Sequence, residues 1–207
     1  MSHLLDVRSV STKLSTPDLL RYLITEKFPG KTVVTASLRA RSIILLSMVA
    51  DVDPATPVVF CRPGDIFQKS LRYRERIVDL FGLTNVSESK GHETDIGEGD
   101  QDHCERMWSE SEDSSGRTYE IVHLNETLAP YDCWISAVYH MDRPEGVRHR
   151  VDIEGRLIRL DPLLSWSRED VHRYMVDHDL PFHPRAHRRT RLKPWPKGTP
   201  IPPTYHF

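Results

Sequence analysis

Val33-Val34-Thr35-Ala36-Ser37-Leu38-Arg39-Ala40-Arg41-Ser42-Ile43-Ile44-Leu45-Leu46, residues 33–46, runs a β-branched stretch into a short polar turn and out into an apolar segment. The first part, from Lys31 to Ser37, reads as a strand with few polar positions, the pattern of a sheet covered on both faces. The second reads as a helix from about Arg41 to Val49. The turn between them decides the fold class, because it passes directly from strand to helix.

Working outward, the same alternation repeats. Thr16-Pro17-Asp18 reads as N-cap, proline at the first helical position and first-turn acid, opening a helix to about Lys27 that Phe28-Pro29-Gly30 ends. Pro57–Cys61 is a second apolar strand, Ile66–Phe81 a helix with Gly82 just past its end, and Leu83–Val86 a third strand. Strand, helix, strand, helix, strand predicts an α/β fold. The expected architecture is a doubly wound, mostly parallel sheet with helices on both faces.

The remainder is more polar. Residues 87–113 are dominated by acids, and 87–116 read as an acidic mobile excursion outside the core. Tyr119–Leu128 reads as weakly helical and Cys133–Val138 as another covered strand. Val151–Leu160 alternates on both sides of Glu154-Gly155, a hairpin pattern. Ser167 caps a helix running to about His178, with Val171, Tyr174 and Met175 on its inner face. A basic, irregular tail follows over 185–207.

With 207 residues, 38 % of them hydrophobic and 28 % charged, the composition suits a single soluble domain over 1–207. No apolar run approaches the ~20 residues of a membrane span. The opening MSHLLDVRSVSTK has no long apolar core of a secretory signal, so a cytoplasmic location is expected. Cys61, Cys104 and Cys133 stand apart with no Cys-x-x-Cys pair, which argues against a disulfide framework and against an iron–sulfur or four-cysteine zinc site.

The turn Ser37–Ser42 is the candidate phosphate site. It offers a hydroxyl at each end and helix N-terminal N–H donors, and Arg39 and Arg41 add cations. Cys61, ending a strand at the ligand edge, is the cysteine to consider for chemistry; Cys133 reads as a core residue. His172, His178, His183 and His187 cluster in sequence, but Pro184 interrupts any helical pairing of His183 with His187, so no metal site is assigned.

Residues 33–46 and the following VDPATPVVFCRPGDIFQKSLRYRERIVDLFGL (52–83) resemble the start of the phosphoadenosine-phosphosulfate (PAPS) reductase family, with a serine-bounded loop after one strand and a motif turn after the next. Gly64, Ile66, Phe67 and Ser70 fall on matching or similar positions of that turn. Tyr131–Ile135 is similar to the family strand that ends in Gly-x-Arg-Arg, Leu160–Val171 to its Pro-Leu-x-x-Trp-x-x-x-Asp-Val segment, and Leu180–Pro184 to a later Leu-Pro motif. The similarity covers about residues 31–185 in the family's order.

The resemblance implies an adenine-nucleotide α-hydrolase-like fold and a small-molecule nucleotide ligand: PAPS, adenosine phosphosulfate or ATP. It also implies sulfur chemistry with a thiol reductant such as thioredoxin. Gly64 would then allow close approach to the nucleotide, and Arg148, Arg188 and Arg189 would close over the anion.

Several family positions are rewritten. Leu38 and Arg39 stand where the loop carries glycine, Arg62 replaces an acid, and Tyr139 and His140 replace the twin arginines. No cysteine follows Cys133, so the family's Glu-Cys-Gly-x-His nucleophile has no counterpart in these residues. Three function classes stay open: an enzyme of sulfur or nucleotidyl transfer, a nucleotide-binding pseudoenzyme, and a nucleic-acid-associated accessory protein using the basic tail.

Overall fold

The computed structural model describes residues 2–63, 68–94, 108–109, 118–121, 124–137 and 149–184. The helices among them are α1 (Ser2–Ser11), α2 (Thr16–Arg21) with a π-helical continuation (Tyr22–Lys27), α3 (Ala40–Val52), α4 (Gln68–Phe81), α5 (Leu124–Leu128) and α6 (Arg168–Asp177). The strands are β1 (Thr32–Ala36), β2 (Val58–Pro63), β3 (Val86–Thr94), β4 (Trp108–Ser109), β5 (Thr118–Ile121), β6 (Cys133–Ser136), β7 (Val151–Glu154) and β8 (Leu157–Leu160).

The strands form one sheet in the order β4-β5-β3-β2-β1-β6-β8-β7. Its centre, β3-β2-β1-β6-β8, is parallel, and β5, β4 and β7 are antiparallel additions at the two edges. Every residue of β1 is buried, which is why its sequence shows no alternation. Val34, Ala36, Phe60 and Ile135 face a core built with α2, α3, α4 and α6. Val33, Val59, Cys61, Trp134 and Leu157 face the other way, against Leu128 of α5. Both faces are therefore covered.

The chain leaves β1 toward β2 on one side, while β6 leads through β7 to β8 on the other. The carboxyl ends of β1 and β6 are thus the point where the winding reverses, the place where open α/β sheets form a ligand crevice.

Local chemistry explains most boundaries. The α4 helix ends in a Schellman motif: Gly82 has φ 61°, Leu83 N–H reaches Val78 O at 3.0 Å and Gly82 N–H reaches Asp79 O at 3.2 Å. Gly155, with φ 57°, turns the β7–β8 hairpin. At α6, Ser167 Oγ accepts from Asp170 N–H and the Asp170 carboxylate accepts from Ser167 N–H, a reciprocal capping box.

The Ser167 N–H and the Ser167 hydroxyl both donate to the Asp170 carboxylate and hold it below its ordinary range, with Arg173 a smaller contributor in the same direction. A lowered folded value means that the carboxylate's contribution is complete above the ordinary aspartate range and is lost as pH falls through the lowered one. Asp170→Asn is therefore expected to melt below wild type at pH 7. The gap should close as melts are repeated down into the acid range.

Four expectations change. The first cap is Ser15, whose side chain accepts from Asp18 N–H, so Thr16 is already helical. The third strand starts at Val86 and runs to Thr94, so residues 87–94 belong to the sheet and not to an excursion outside it. Ser89 is buried there, and Glu88 is paired with Arg74 of α4. Parallel pairing with β2 gives this polar strand its place, where its composition alone reads as loop. Tyr119–Leu128 divides into β5, with Tyr119 and Ile121 in its ladder to β3, and the short helix α5.

The N-terminal helix α1 is an addition that sequence reading passed over. Its Val7 is buried, and Arg8 donates to Val151 O at 3.0 Å and to Asp152 Oδ1 at 2.9 Å, covering the β7 edge.

Candidate functional site

The loop leaving β1 closes on itself through its two serines. Ser42 Oγ accepts the Ser37 N–H at 3.0 Å, the two hydroxyls lie 3.1 Å apart, and Ser37 Oγ accepts the Arg39 N–H at 3.3 Å. Both serines are buried. Arg39 occupies the N-cap of α3 in extended conformation (φ −89°, ψ 156°) and makes no side-chain cap. The Ile43 N–H bonds to Arg39 O at 3.1 Å, so the N–H groups of Ala40, Arg41 and Ser42 belong to the first turn, where no helical carbonyl is available. An exposed cation at the cap and this set of donors make an anion-attracting corner at the winding reversal.

Leu38 stands where a glycine was expected, yet its side chain packs onto the core below the loop. Arg41, expected beside Arg39 on a phosphate, points elsewhere. Its guanidinium donates to Trp166 O at 3.2 Å and to Leu163 O. Arg150 is half-buried and donates to Thr16 Oγ1 at 2.8 Å.

Cys61 lies in the second-face core at 4 % exposure, and burial pushes its thiol up to about 12. Burial likewise raises Cys133 to about 12, opposed by a hydrogen bond with Thr32. Both are neutral thiols at physiological pH, which counts against Cys61 as a nucleophile. Iodoacetamide at pH 8 should leave Cys61 and Cys133 unmodified in the native protein and label both in denaturant. Native labelling of Cys61, read by peptide mass mapping, would restore it as a chemical candidate.

Gly64, Arg148, Arg188 and Arg189 lie outside the described residues. His187 lies outside the described residues, and the other three histidines meet different partners: His183 Nε2 is 3.1 Å from Ser70 Oγ, His178 stacks on Tyr174 at 3.8 Å, and His172 tilts against Phe182 at 5.7 Å. Among the described residues no group of histidine, cysteine or carboxylate side chains is arranged to hold a metal ion.

Sequence reasoning missed a buried polar group behind the loop. Trp134 donates from its indole N–H to Thr35 Oγ1 at 2.8 Å, and the Arg159 guanidinium carbon lies 5.0 Å from the centre of the Trp134 ring. Arg159 is only 4 % exposed. Register brings them together: Val33 pairs with Trp134 and Trp134 with Arg159, while Thr35 is two residues on from Val33 on the same face. The available signal was an arginine at an alternation position of a strand otherwise apolar. A second missed contact is Tyr73, whose hydroxyl donates to Pro181 O at 2.6 Å and whose ring meets His183 edge-on.

Comparison with known proteins agrees with this geometry. The family model described as phosphoadenosine phosphosulfate reductase domain matches residues 31–188. The chain belongs to the phosphoadenosine phosphosulfate reductase family. A phosphoadenosine 5′-phosphosulfate reductase of Alkalilimnicola ehrlichii is 26 % identical over 168 residues, covering 78 % of this chain and 67 % of its own length. An adenosine 5′-phosphosulfate reductase of Bacillus thuringiensis is 25 % identical over 163 residues, covering 77 % and 69 %.

Among solved structures, a PAPS reductase from Candida auris, crystallised as a phosphate complex, superposes with a TM-score of 0.62 at 13 % identity, over 91 % of this chain and 92 % of its own. Yeast FAD synthetase in complex with FAD reaches 0.51 at 12 % identity, over 86 % and 67 %. The fold is of the adenine-nucleotide α-hydrolase type, a mostly parallel sheet wound on both faces. No helix among the described residues is long and apolar enough to cross a membrane.

Proposed function

We propose that this chain binds an adenine nucleotide or sulfonucleotide, with its phosphate or phosphosulfate group at the Ser37–Ser42 loop. The observation that carries this reading is the start of α3. Its cap residue supplies no side-chain acceptor, its cap side chain is a cation, and two buried serines brace the turn that presents its first N–H groups. An anion supplies what the cap lacks. The substrates in the relatives' names and the phosphate complex of the Candida auris protein support the same ligand class. In this reading Arg39 contacts the anion directly, while Gly64, Arg148, Arg188 and Arg189 belong to the same site. Cys61 takes no part in chemistry, because its thiol is neutral and buried.

Titration calorimetry tests this with adenosine 3′,5′-bisphosphate and adenosine phosphosulfate. Wild type should bind at least one of them, and Ser42→Val, which removes the acceptor of the Ser37 N–H, should bind about tenfold or more weakly, the cost of one buried hydrogen bond that braces the loop. Absence of binding by wild type to both nucleotides would overturn the reading.

A further inference from the structure

We propose that Arg41 is a positioning residue for the anion loop, holding it in register with the Leu163–Trp166 segment and making no contact with the ligand itself. This rests on the reading of Ser37–Ser42 as the anion site. Arg41 occupies the first turn of α3, where the helix dipole disfavours a cation. The chain compensates by drawing the guanidinium sideways onto two backbone carbonyls, Leu163 O and Trp166 O.

Those carbonyls belong to a rigid piece of chain. Leu163 is fully buried, its carbonyl also accepts the Trp166 N–H at 3.0 Å, and the Trp166 ring packs on Tyr174 of α6 at 5.3 Å. The next residue, Ser167, caps α6. One planar fork therefore ties the start of α3 to the start of α6. Ser42, adjacent to Arg41, carries the hydroxyl that braces Ser37. A shift of Arg41 moves that hydroxyl with it.

The geometry also separates two arginines that are alike in sequence. Arg39 is exposed at the cap, and Arg41 is turned away onto carbonyls. The conspicuous Pro-Leu-x-x-Trp segment thereby has a use for its backbone as well as for its apolar side chains.

The experiment compares Arg41→Met, Arg41→Lys and Arg39→Met with wild type in two measurements. The first is the affinity for adenosine 3′,5′-bisphosphate across a salt series. The second is amide hydrogen exchange without ligand. Arg41→Met should weaken affinity about tenfold with the salt slope of wild type, whereas Arg39→Met should flatten the slope, because only a cation facing the anion is screened with it. Arg41→Lys, keeping charge but not the fork, should fall between wild type and Arg41→Met. Exchange in Arg41→Met should rise together in residues 37–42 and 163–166.

A flattened slope in Arg41→Met would make it a ligand contact and overturn the proposal. So would unchanged affinity, or exchange that rises in neither segment. If wild type binds no adenine nucleotide, the functional reading fails on that measurement, and the exchange pattern still decides whether the clamp exists.

Discussion

Trp134→Ala is expected to remove about 4 kcal/mol from the unfolding free energy, the range for deleting a fully buried aromatic side chain. The indole is completely inaccessible in the second-face core, beside Val33, Val59 and Leu157. Three losses coincide. The cavity removes dispersion contacts on both neighbouring strands, the Thr35 hydroxyl loses its donor, and Arg159 loses the ring face beneath its guanidinium. Collapse of the site is resisted because β1 and β8 flank β6 in the centre of the sheet.

Trp134→Phe separates these contributions. It keeps an aromatic face for Arg159 and most of the volume but removes the N–H, so its cost should be nearer about 1–2 kcal/mol. Urea unfolding followed by far-ultraviolet circular dichroism measures both variants. A cost below about 1.5 kcal/mol for the alanine variant would mean that the second face is far less tightly packed than Trp134 indicates.

The residues that made the fold legible are those whose local chemistry and tertiary environment agree. β1 is apolar because it is covered on both faces, α3 starts where the turn ends, and Gly82 sits at the left-handed position that ends α4. Ser167 and Asp170 form the box that their spacing predicts. Where context overrides composition, sequence reading failed. β3 is a strand of Val86-Ser87-Glu88-Ser89 and more polar residues, and it is ordered by the ladder of β2. That pairing is non-local, and no window of residues contains it.

The site was legible in part for the same reason. Ser37 and Ser42 are five residues apart, so their hydrogen bond follows from a short turn. The destination of Arg41 does not follow from it, since its partners are more than a hundred residues away in sequence. The Thr35–Trp134–Arg159 group likewise depends on strand order, which places β6 beside β1 and β8 beside β6. A strand order is not encoded in the periodicity of any single strand.

Arg39→Glu is expected to weaken binding of adenosine 3′,5′-bisphosphate about a hundredfold while leaving the protein at least as stable as wild type. The two effects have opposite signs because one side chain faces two partners. Toward a phosphate, the substitution removes an attraction and adds a repulsion of similar size; a charge-assisted contact contributes about 1.5–3 kcal/mol, and each 1.4 kcal/mol is tenfold in affinity. Toward α3, whose cap Arg39 occupies without a side-chain capping bond, a carboxylate is the better neighbour, contributing about 0.3–1 kcal/mol with the helix dipole. Arg39 is exposed, so the exchange does not disturb the packed core. Calorimetric affinity and thermal melting on the same samples read both signs. The affinity gap should narrow with added salt, since an exposed charge is screened over about 10 Å at 0.1 M ionic strength. A variant that binds like wild type would remove Arg39 from the anion site, and one that loses affinity and stability together would show that Arg39 supports the loop instead of the ligand.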